Sequence, residues 1–153
     1  MPIKHKHPSN SEVQKQAESE MRGKLQKKLS CMLQPKTIRS RTGETVEIDG
    51  HSESPRILCE IYAHIGTLKG SQPRKPLADS VKMAIAEKWL GENCRKIFVF
   101  ADTEAASKFQ AGSWQAEAMK FLGVEILVIS LAPHTKKLVM KAQRRQYMGN
   151  QPQ

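Results

Sequence analysis

Two acidic residues lie where a folded chain seldom places a free carboxylate. Asp49 follows the alternating run TVEI and precedes Gly50, while Glu60 lies inside the apolar run ILCEIYAHI. An unpaired carboxylate within an apolar strand carries a large desolvation cost. The ten residues between the two acids are enough to bring both to one edge of adjacent antiparallel strands. Such a pair suits Mg²⁺ or Mn²⁺, which would lower the pKa of a bound water and neutralise charge on a phosphodiester.

The elements that must position these acids follow the order α-β-β-β-α-β-α-β. Apolar residues three and four apart predict a first helix over 11–33, which Pro35 stops. The other predicted elements are strands at 36–41, 45–50 and 56–65, a helix from Leu77, a strand at 96–102, a helix over 103–122 interrupted near Gly112-Ser113, and a strand at 124–131. The strand, helix and strand of the second half predict parallel pairing through a right-handed crossover. The sequence therefore predicts an α/β domain with a mixed sheet flanked by helices.

The spacing of the two acids within this order of elements resembles the pattern of a known family. An acid after one strand, about ten residues, and an acid inside the next strand, within an α-β-β-β-α-β order, resemble the PD-(D/E)XK nuclease superfamily over residues 11–131. The resemblance implies a restriction-endonuclease-like core followed by a further α-β. It also implies that metal-activated water hydrolyses nucleic-acid phosphodiesters, with Asp49 and Glu60 as the metal ligands.

One position of the family motif differs in this chain. The motif has a Lys two residues after the second acid, where it helps to position or deprotonate the attacking water, and this chain has Tyr62 there. A tyrosine cannot supply a fixed positive charge. A Mg²⁺-dependent endonuclease and a catalytically inactive nucleic-acid-binding module of the same fold therefore both stay open.

Substitute cations follow in the next loop and helix. Lys69 lies in the loop, and Lys75, Asp79 and Lys82 recur at i, i+4 and i+7 on one face of the helix. Taken alone, such a face is more often a solvated side with an ion pair than a catalytic group. A lysine on this helix is nevertheless able to reach the edge of the sheet where the metal would bind.

The stretch GTLKGSQPRKPLADSVKM strengthens the resemblance. It is similar to an uncharacterised subgroup of restriction-endonuclease-like proteins in which a Gly, three Lys, a Gln and an Asp recur. The similarity makes Lys75 and Lys82 the expected catalytic lysines and Gln72 a polar orienting group. Asp79 is then either a third acid or the partner of those lysines.

Each acid also has a purely structural explanation. Asp49 before a glycine is a common turn residue, and Glu60 would face solvent on an edge strand or pair with Arg56 or Lys69. Glu47 competes with Asp49, because alternation puts both on one face if the strand continues. Glu20 flanks the apolar stripe of the first helix and is a further candidate acid, since members of the resembled family draw an acid from that helix.

The formal net charge of +10 is concentrated at the two ends of the sequence. Residues 1–43 hold ten basic and three acidic residues, residues 134–153 hold five basic and no acidic ones, and residues 44–133 hold ten basic and twelve acidic ones. This pattern predicts nucleic acid as the partner, with the basic ends contacting its phosphate backbone. The charge does not separate DNA from RNA, and the resemblance to a nuclease superfamily favours DNA. The expected contact residues are Lys24, Lys27, Lys28, Lys136, Lys137, Lys141, Arg144 and Arg145.

The remaining composition narrows the class of protein. No apolar run reaches the length of a membrane span and no apolar segment follows the basic N-terminus, so we expect a cytoplasmic protein without a membrane partner. We expect a flexible basic leader at 1–10, a nuclease-like domain at 11–133 and a basic tail at 134–153. The sequence has no nucleotide-binding, serine-hydrolase or zincin motif, and it leaves a homodimer open.

Overall fold

The computed structural model describes residues 9–149, which form a five-stranded mixed sheet with helices on both faces. The elements are α1 (Asn10–Leu29), β1 (Gln34–Arg39), β2 (Thr45–Glu53), β3 (Arg56–Tyr62), α2 (Arg74–Leu90), β4 (Arg95–Phe100), α3 (Thr103–Gln110), α4 (Trp114–Leu122), β5 (Val124–Val128) and α5 (Pro133–Gly149). The strands lie side by side in chain order. The pairs β1–β2 and β2–β3 are antiparallel, and the pairs β3–β4 and β4–β5 are parallel. The predicted α/β class with a mixed sheet flanked by helices is confirmed.

The helix α1 begins and ends on local signals. Ser9 accepts a hydrogen bond from the backbone N–H of Glu12, whose side chain accepts from the Ser9 backbone, so a capping box fixes the first turn. Ser30 caps the end of the helix in the left-handed region, with a φ of 53°. The last helical residue, Leu29, lies four residues before the predicted end at 33. One stripe of the helix is buried against the sheet, formed by Val13, Ala17, Met21 and Leu25.

The residues predicted as a separate basic tail form, as far as Gly149, the packed helix α5. In α5, Val139 and Ala142 are buried in the same core cluster as the stripe of α1. The Arg145 side chain donates to Asn10 at the opposite end of the chain. The boundary expected at 133/134 therefore does not separate α5 from the domain, because two small apolar residues one turn apart anchor it. Residues 1–8 of the expected leader and 150–153 of the expected tail lie outside the described residues.

The other face of the sheet carries α2, α3 and α4. The interruption expected near Gly112-Ser113 separates α3 from α4, because Gly112 adopts a φ of +74° and Ser113 caps the new helix by accepting from the Ala116 N–H. Asp102 caps α3 in the same way, through the N–H of Glu104. Within residues 9–149, none of the helices combines the length and apolarity needed to cross a bilayer.

The strand ends differ from the apolar runs that predicted them. β3 ends at Tyr62 and β5 at Val128, each three residues short of the expected ends at 65 and 131. Ala63 and Leu131, just beyond these ends, are still buried. The apolar runs therefore mark burial, which continues past the last strand pairing. β2 instead continues to Glu53, three residues beyond its expected end at 50.

Candidate active site

A β-bulge in β2 shapes the edge of the sheet that holds the two acids. Gln34 of β1 pairs with His51 of β2, and Lys36 pairs with Ile48. Three steps along β2 therefore match two steps along β1, so one extra residue is inserted in β2 around Asp49. A bulge bends its strand and redirects a side chain.

The strands β2 and β3 part at Asp49. Their last pair on this side is Gly50 with Cys59, and a Cβ atom on Gly50 would lie 2.4 Å from the Cys59 Sγ. Only glycine therefore allows the close approach of the strands here. Beyond it, the Asp49 Oδ2 accepts a hydrogen bond from the backbone N–H of Ile61 at 2.9 Å, and Arg22 of α1 donates to the Asp49 carbonyl at 3.3 Å. The Asp49 carboxylate thus accepts the hydrogen bond from the Ile61 N–H that a backbone carbonyl of β2 would accept if the strands stayed paired.

Glu60 points from β3 into the layer below α2 and is only 2% exposed. No residue in the described range 9–149 forms a hydrogen bond with its Oε1, although the Lys82 Nζ lies 3.6 Å from that oxygen. Burial first, then the hydrogen bond that protonated Glu60 donates to Asp49 and the charge repulsion between the two carboxylates, raise the pKa of Glu60 to about 9. The two carboxyl groups therefore share one space, and near neutral pH Glu60 holds a proton unless a cation is added.

The face of α2 that carries Lys75, Asp79 and Lys82 is turned toward this pair. Asp79 is buried, and its carboxylate lies 3.1 Å from the Lys75 Nζ and 3.7 Å from the Lys82 Nζ. Lys82 thus bridges Asp79 and Glu60. Of the two roles open for Asp79, its contacts are those of a partner of the lysines.

Lys75 lies over the residue that replaces the lysine of the resembled motif. Its Nζ is 5.6 Å from the centroid of the Tyr62 ring, and Tyr62 is itself buried. Burial lowers the pKa of Lys75, but the carboxylates of Asp79, Asp49 and Glu60 raise it more, so that the pKa is raised overall. The ammonium therefore remains charged at the position next to the two acids.

Glu20 lies away from the site, in contrast to the expectation for an acid on the first helix. It accepts hydrogen bonds from the Thr135 hydroxyl at 2.7 Å and the Ala132 N–H at 2.8 Å, both at the start of α5. Burial alone would raise the pKa of Glu20, but these bonds and the charge of Lys24 lower it. Glu20 therefore ties α1 to α5.

Glu18, which is not among the residues expected from the sequence, faces the site instead. It lines a cavity of about 360 Å³ with Asp49, Arg22 and Glu47. Burial first, and the charge of Asp49 as well, raise the pKa of Glu18, although a hydrogen bond from Gln14 opposes this. Residues two positions apart on an α-helix point in directions that differ by about 200°. Glu18 and Glu20 therefore point to opposite sides of α1. The sequence does contain a pattern that points to Glu18, because Glu18 and Arg22 are oppositely charged residues four positions apart beside the buried stripe of α1.

The other expected residues surround the site without joining the two acids. Glu47 is exposed at the rim of the same cavity, while Gln72 lines an adjoining groove of about 580 Å³ that also includes Glu18, Tyr62 and Lys75. The Gln72 side chain accepts from the backbone N–H of Lys69 at 2.8 Å, and Lys69 is an exposed loop residue. Gln72 therefore shapes the loop that leads into α2.

The basic residues expected to hold nucleic acid lie on two neighbouring helices. Glu20 and Lys24 of α1 contact the chain around the start of α5, since the Lys24 Nζ donates to the Ser130 carbonyl at 2.6 Å. The eight residues are exposed, three on α1 and five on α5: Lys24, Lys27, Lys28, Lys136, Lys137, Lys141, Arg144 and Arg145. Two positive segments far apart in the sequence are thus brought together on one face of the molecule.

The donor atoms allow a test of whether a divalent cation suits the site. Within residues 9–149 there is no group of three or more His, Cys, Asp or Glu placed to hold a metal ion. Asp49 and Glu60 provide two carboxylates, one with a buried oxygen that lacks a hydrogen bond within that range. Mg²⁺ is commonly held by one or two carboxylates, with water and substrate phosphate completing the shell. The residues present fit a cation of this kind.

No protein-family model, curated protein or solved structure matches the chain.

Proposed function

We propose that this chain is a metal-dependent nuclease with a restriction-endonuclease-like fold, which hydrolyses phosphodiesters of nucleic acid, DNA before RNA. The observation that carries the proposal is the buried Glu60 carboxyl group beside Asp49, at the point where β2 and β3 part. A buried acid beside another acid destabilises the fold, so its presence is explained best by a ligand of opposite charge. The α-β-β-β-α-β order and the mixed sheet support the same fold family.

Asp49 and Glu60 would hold Mg²⁺ or Mn²⁺. When bound, the cation supplies an activated water and neutralises charge that develops on the phosphodiester. The Ile61 N–H orients the Asp49 carboxylate. Glu60 must lose its proton to act as a ligand, which makes the site responsive to pH.

Lys75 supplies the positive charge that Tyr62 cannot provide. Its ammonium is held between Asp79 and the Tyr62 ring, and its side chain is half exposed toward the groove that leads to the site. Lys82 lies between Glu60 and Asp79 and balances their charge. We therefore infer that Lys75 contacts the phosphate, while Lys82 positions the carboxylates.

The exposed lysines and arginines of α1 and α5 would hold the phosphate backbone. Nucleic acid is proposed as their partner because of their positive charge and their shared position on one face of the molecule. Binding should weaken steeply with added salt, because each neutralised phosphate releases counterions.

A second candidate function is a nucleic-acid-binding module that has lost catalysis. Tyr62 at the motif lysine position favours it, as does the lack of a three-ligand metal group within residues 9–149. The two candidates make the same prediction for binding and different ones for cleavage.

Incubation of supercoiled plasmid, linear duplex and single-stranded RNA with Mg²⁺ or Mn²⁺ separates the candidates. The nuclease proposal predicts cleavage that is lost in Asp49→Asn and Glu60→Gln and retained in Glu104→Gln, an exposed carboxylate on α3. Binding without any cleavage by the wild type would select the inactive module. Equal cleavage by the wild type and Asp49→Asn would point to a contaminating nuclease and refute the proposal.

A further inference from the structure

The helix α4 has apolar residues on the side that faces away from the core. Ala116 and Met119 are buried against the domain, whereas Trp114 is 67% exposed and Phe121 is 90% exposed. These aromatic residues are seven positions apart, two helical turns or about 10 Å along the axis, so both point in nearly the same direction. No part of residues 9–149 covers them. Large exposed aromatic rings on one face mark an interaction surface.

Two copies of α4 that pack antiparallel are able to bury the exposed rings of both copies against each other. If two copies of α4 pack antiparallel about a two-fold axis that passes between Glu117 and Ala118, each Trp114 lies opposite the partner's Phe121. A two-fold interface requires this kind of reciprocal contact. Offset or edge-to-face contact between aromatic rings adds to the burial of their apolar area.

The charges on the same helix fit the same arrangement. Glu117 and Lys120 lie beside the rings and form an ion pair within one chain at 3.4 Å. In the antiparallel pair, Glu117 comes within about 3 Å along the axis of the partner's Lys120. The segment 103–128 has three acidic and two basic residues, although the whole chain carries +10. Two copies therefore experience little electrostatic repulsion at this surface. A strongly charged partner would find no surface of opposite charge here.

α4 lies on the opposite face of the sheet from the basic residues of α1 and α5. α4 packs with α2 and α3 on one face of the sheet, while α1 and α5, with their basic residues, cover the other face. We infer that α4 is the interface of a homodimer, in which Trp114 and Phe121 of one copy pack against Phe121 and Trp114 of the other. The dimer then presents both basic faces outward.

Sedimentation equilibrium over a wide range of protein concentration, in buffer without metal or nucleic acid, tests the inference. The wild type is expected to approach about 34 kDa, twice the chain mass of 17.2 kDa. Phe121→Asp is expected to remain at 17.2 kDa with an unchanged circular dichroism spectrum, since its side chain is almost fully exposed. Tyr147→Asp is the matched control, because Tyr147 is 67% exposed on α5, and it should dimerise like the wild type.

A charge swap tests the symmetry of the interface. Glu117→Lys should weaken dimerisation because it places two lysines opposite each other, and adding Lys120→Glu should restore it. A wild type that stays monomeric at every concentration would overturn the inference, as would a dimer that survives Phe121→Asp or fails in Tyr147→Asp. These outcomes do not depend on cleavage, so the dimer and the nuclease proposal stand or fall separately.

Discussion

The buried Glu60 predicts a specific dependence of stability on pH. Burial and the neighbouring Asp49 raise its pKa from the ordinary 4.5 to about 9. The folded protein therefore keeps a proton that the unfolded chain releases. The contribution of this residue to stability is complete below pH 4.5 and is lost as the pH rises through 9. Over the interval from 4.5 to 7, a slope of about 1.4 kcal/mol per pH unit gives a loss of about 3 kcal/mol.

Glu60→Gln should remove this loss, because an amide does not titrate and its NH₂ is able to donate to Asp49. The variant and the wild type should have similar free energies of unfolding near pH 4.5. At pH 7 the variant should be more stable by about 3 kcal/mol, and at pH 9 by more. Urea denaturation at the three pH values, with EDTA present, measures the difference. Glu104→Gln is the control and should follow the wild type.

A difference in the free energy of unfolding that does not change with pH would refute the raised pKa of Glu60. If the difference between Glu60→Gln and the wild type stays the same from pH 4.5 to 9, the carboxyl group does not keep its proton on folding. The two acids then do not share one enclosed space, and the electrostatic basis for a cation at this edge of the sheet is lost.

Substitutions at Lys75, at Gly50 and on the basic face of α5 each have a measurable consequence. Lys75→Ala should lower the cleavage rate by roughly 10²-fold with little change in DNA affinity, as measured by single-turnover cleavage and fluorescence anisotropy. Gly50→Ala should cost about 1–3 kcal/mol of stability, because its Cβ would collide with the Cys59 Sγ, and Cys59→Ala in the same chain should recover part of that loss in urea denaturation. Replacing Lys141 and Arg144 by Ala should reduce the slope of log affinity against log salt by about 2; an unchanged slope would place nucleic acid elsewhere.

The order of the elements was predictable from the sequence because each rests on local signals. The capping residue Ser9, the left-handed Gly112 and the apolar runs of β3 and β4 act within a few residues of the elements they define. The same signals place Glu60 on a buried strand. Its closeness to Asp49 was expected from the short connection between two antiparallel strands, and the structure brings the two residues together.

The details that determine the site depend on distant contacts. The bulge at Asp49 arises from the register of β2 against β1, which no local pattern encodes. The choice between Glu18 and Glu20 depends on which side of α1 faces β2 and which faces α5, a matter of tertiary packing. The sequence predicts a tail at 134–153 because the segment has five basic residues and no acidic one, whereas the anchoring of α5 by Val139 and Ala142 depends on contacts with the distant α1.

Calorimetric titration with Mn²⁺ shows whether Asp49 and Glu60 together bind a divalent cation. The titration is run at neutral pH in two buffers with different enthalpies of ionisation, so that proton release is counted along with binding. We predict one ion per chain, release of about one proton because Glu60 must ionise on binding, and loss of binding in Asp49→Asn. Binding without proton release, or binding that is unchanged in Asp49→Asn, would contradict the account.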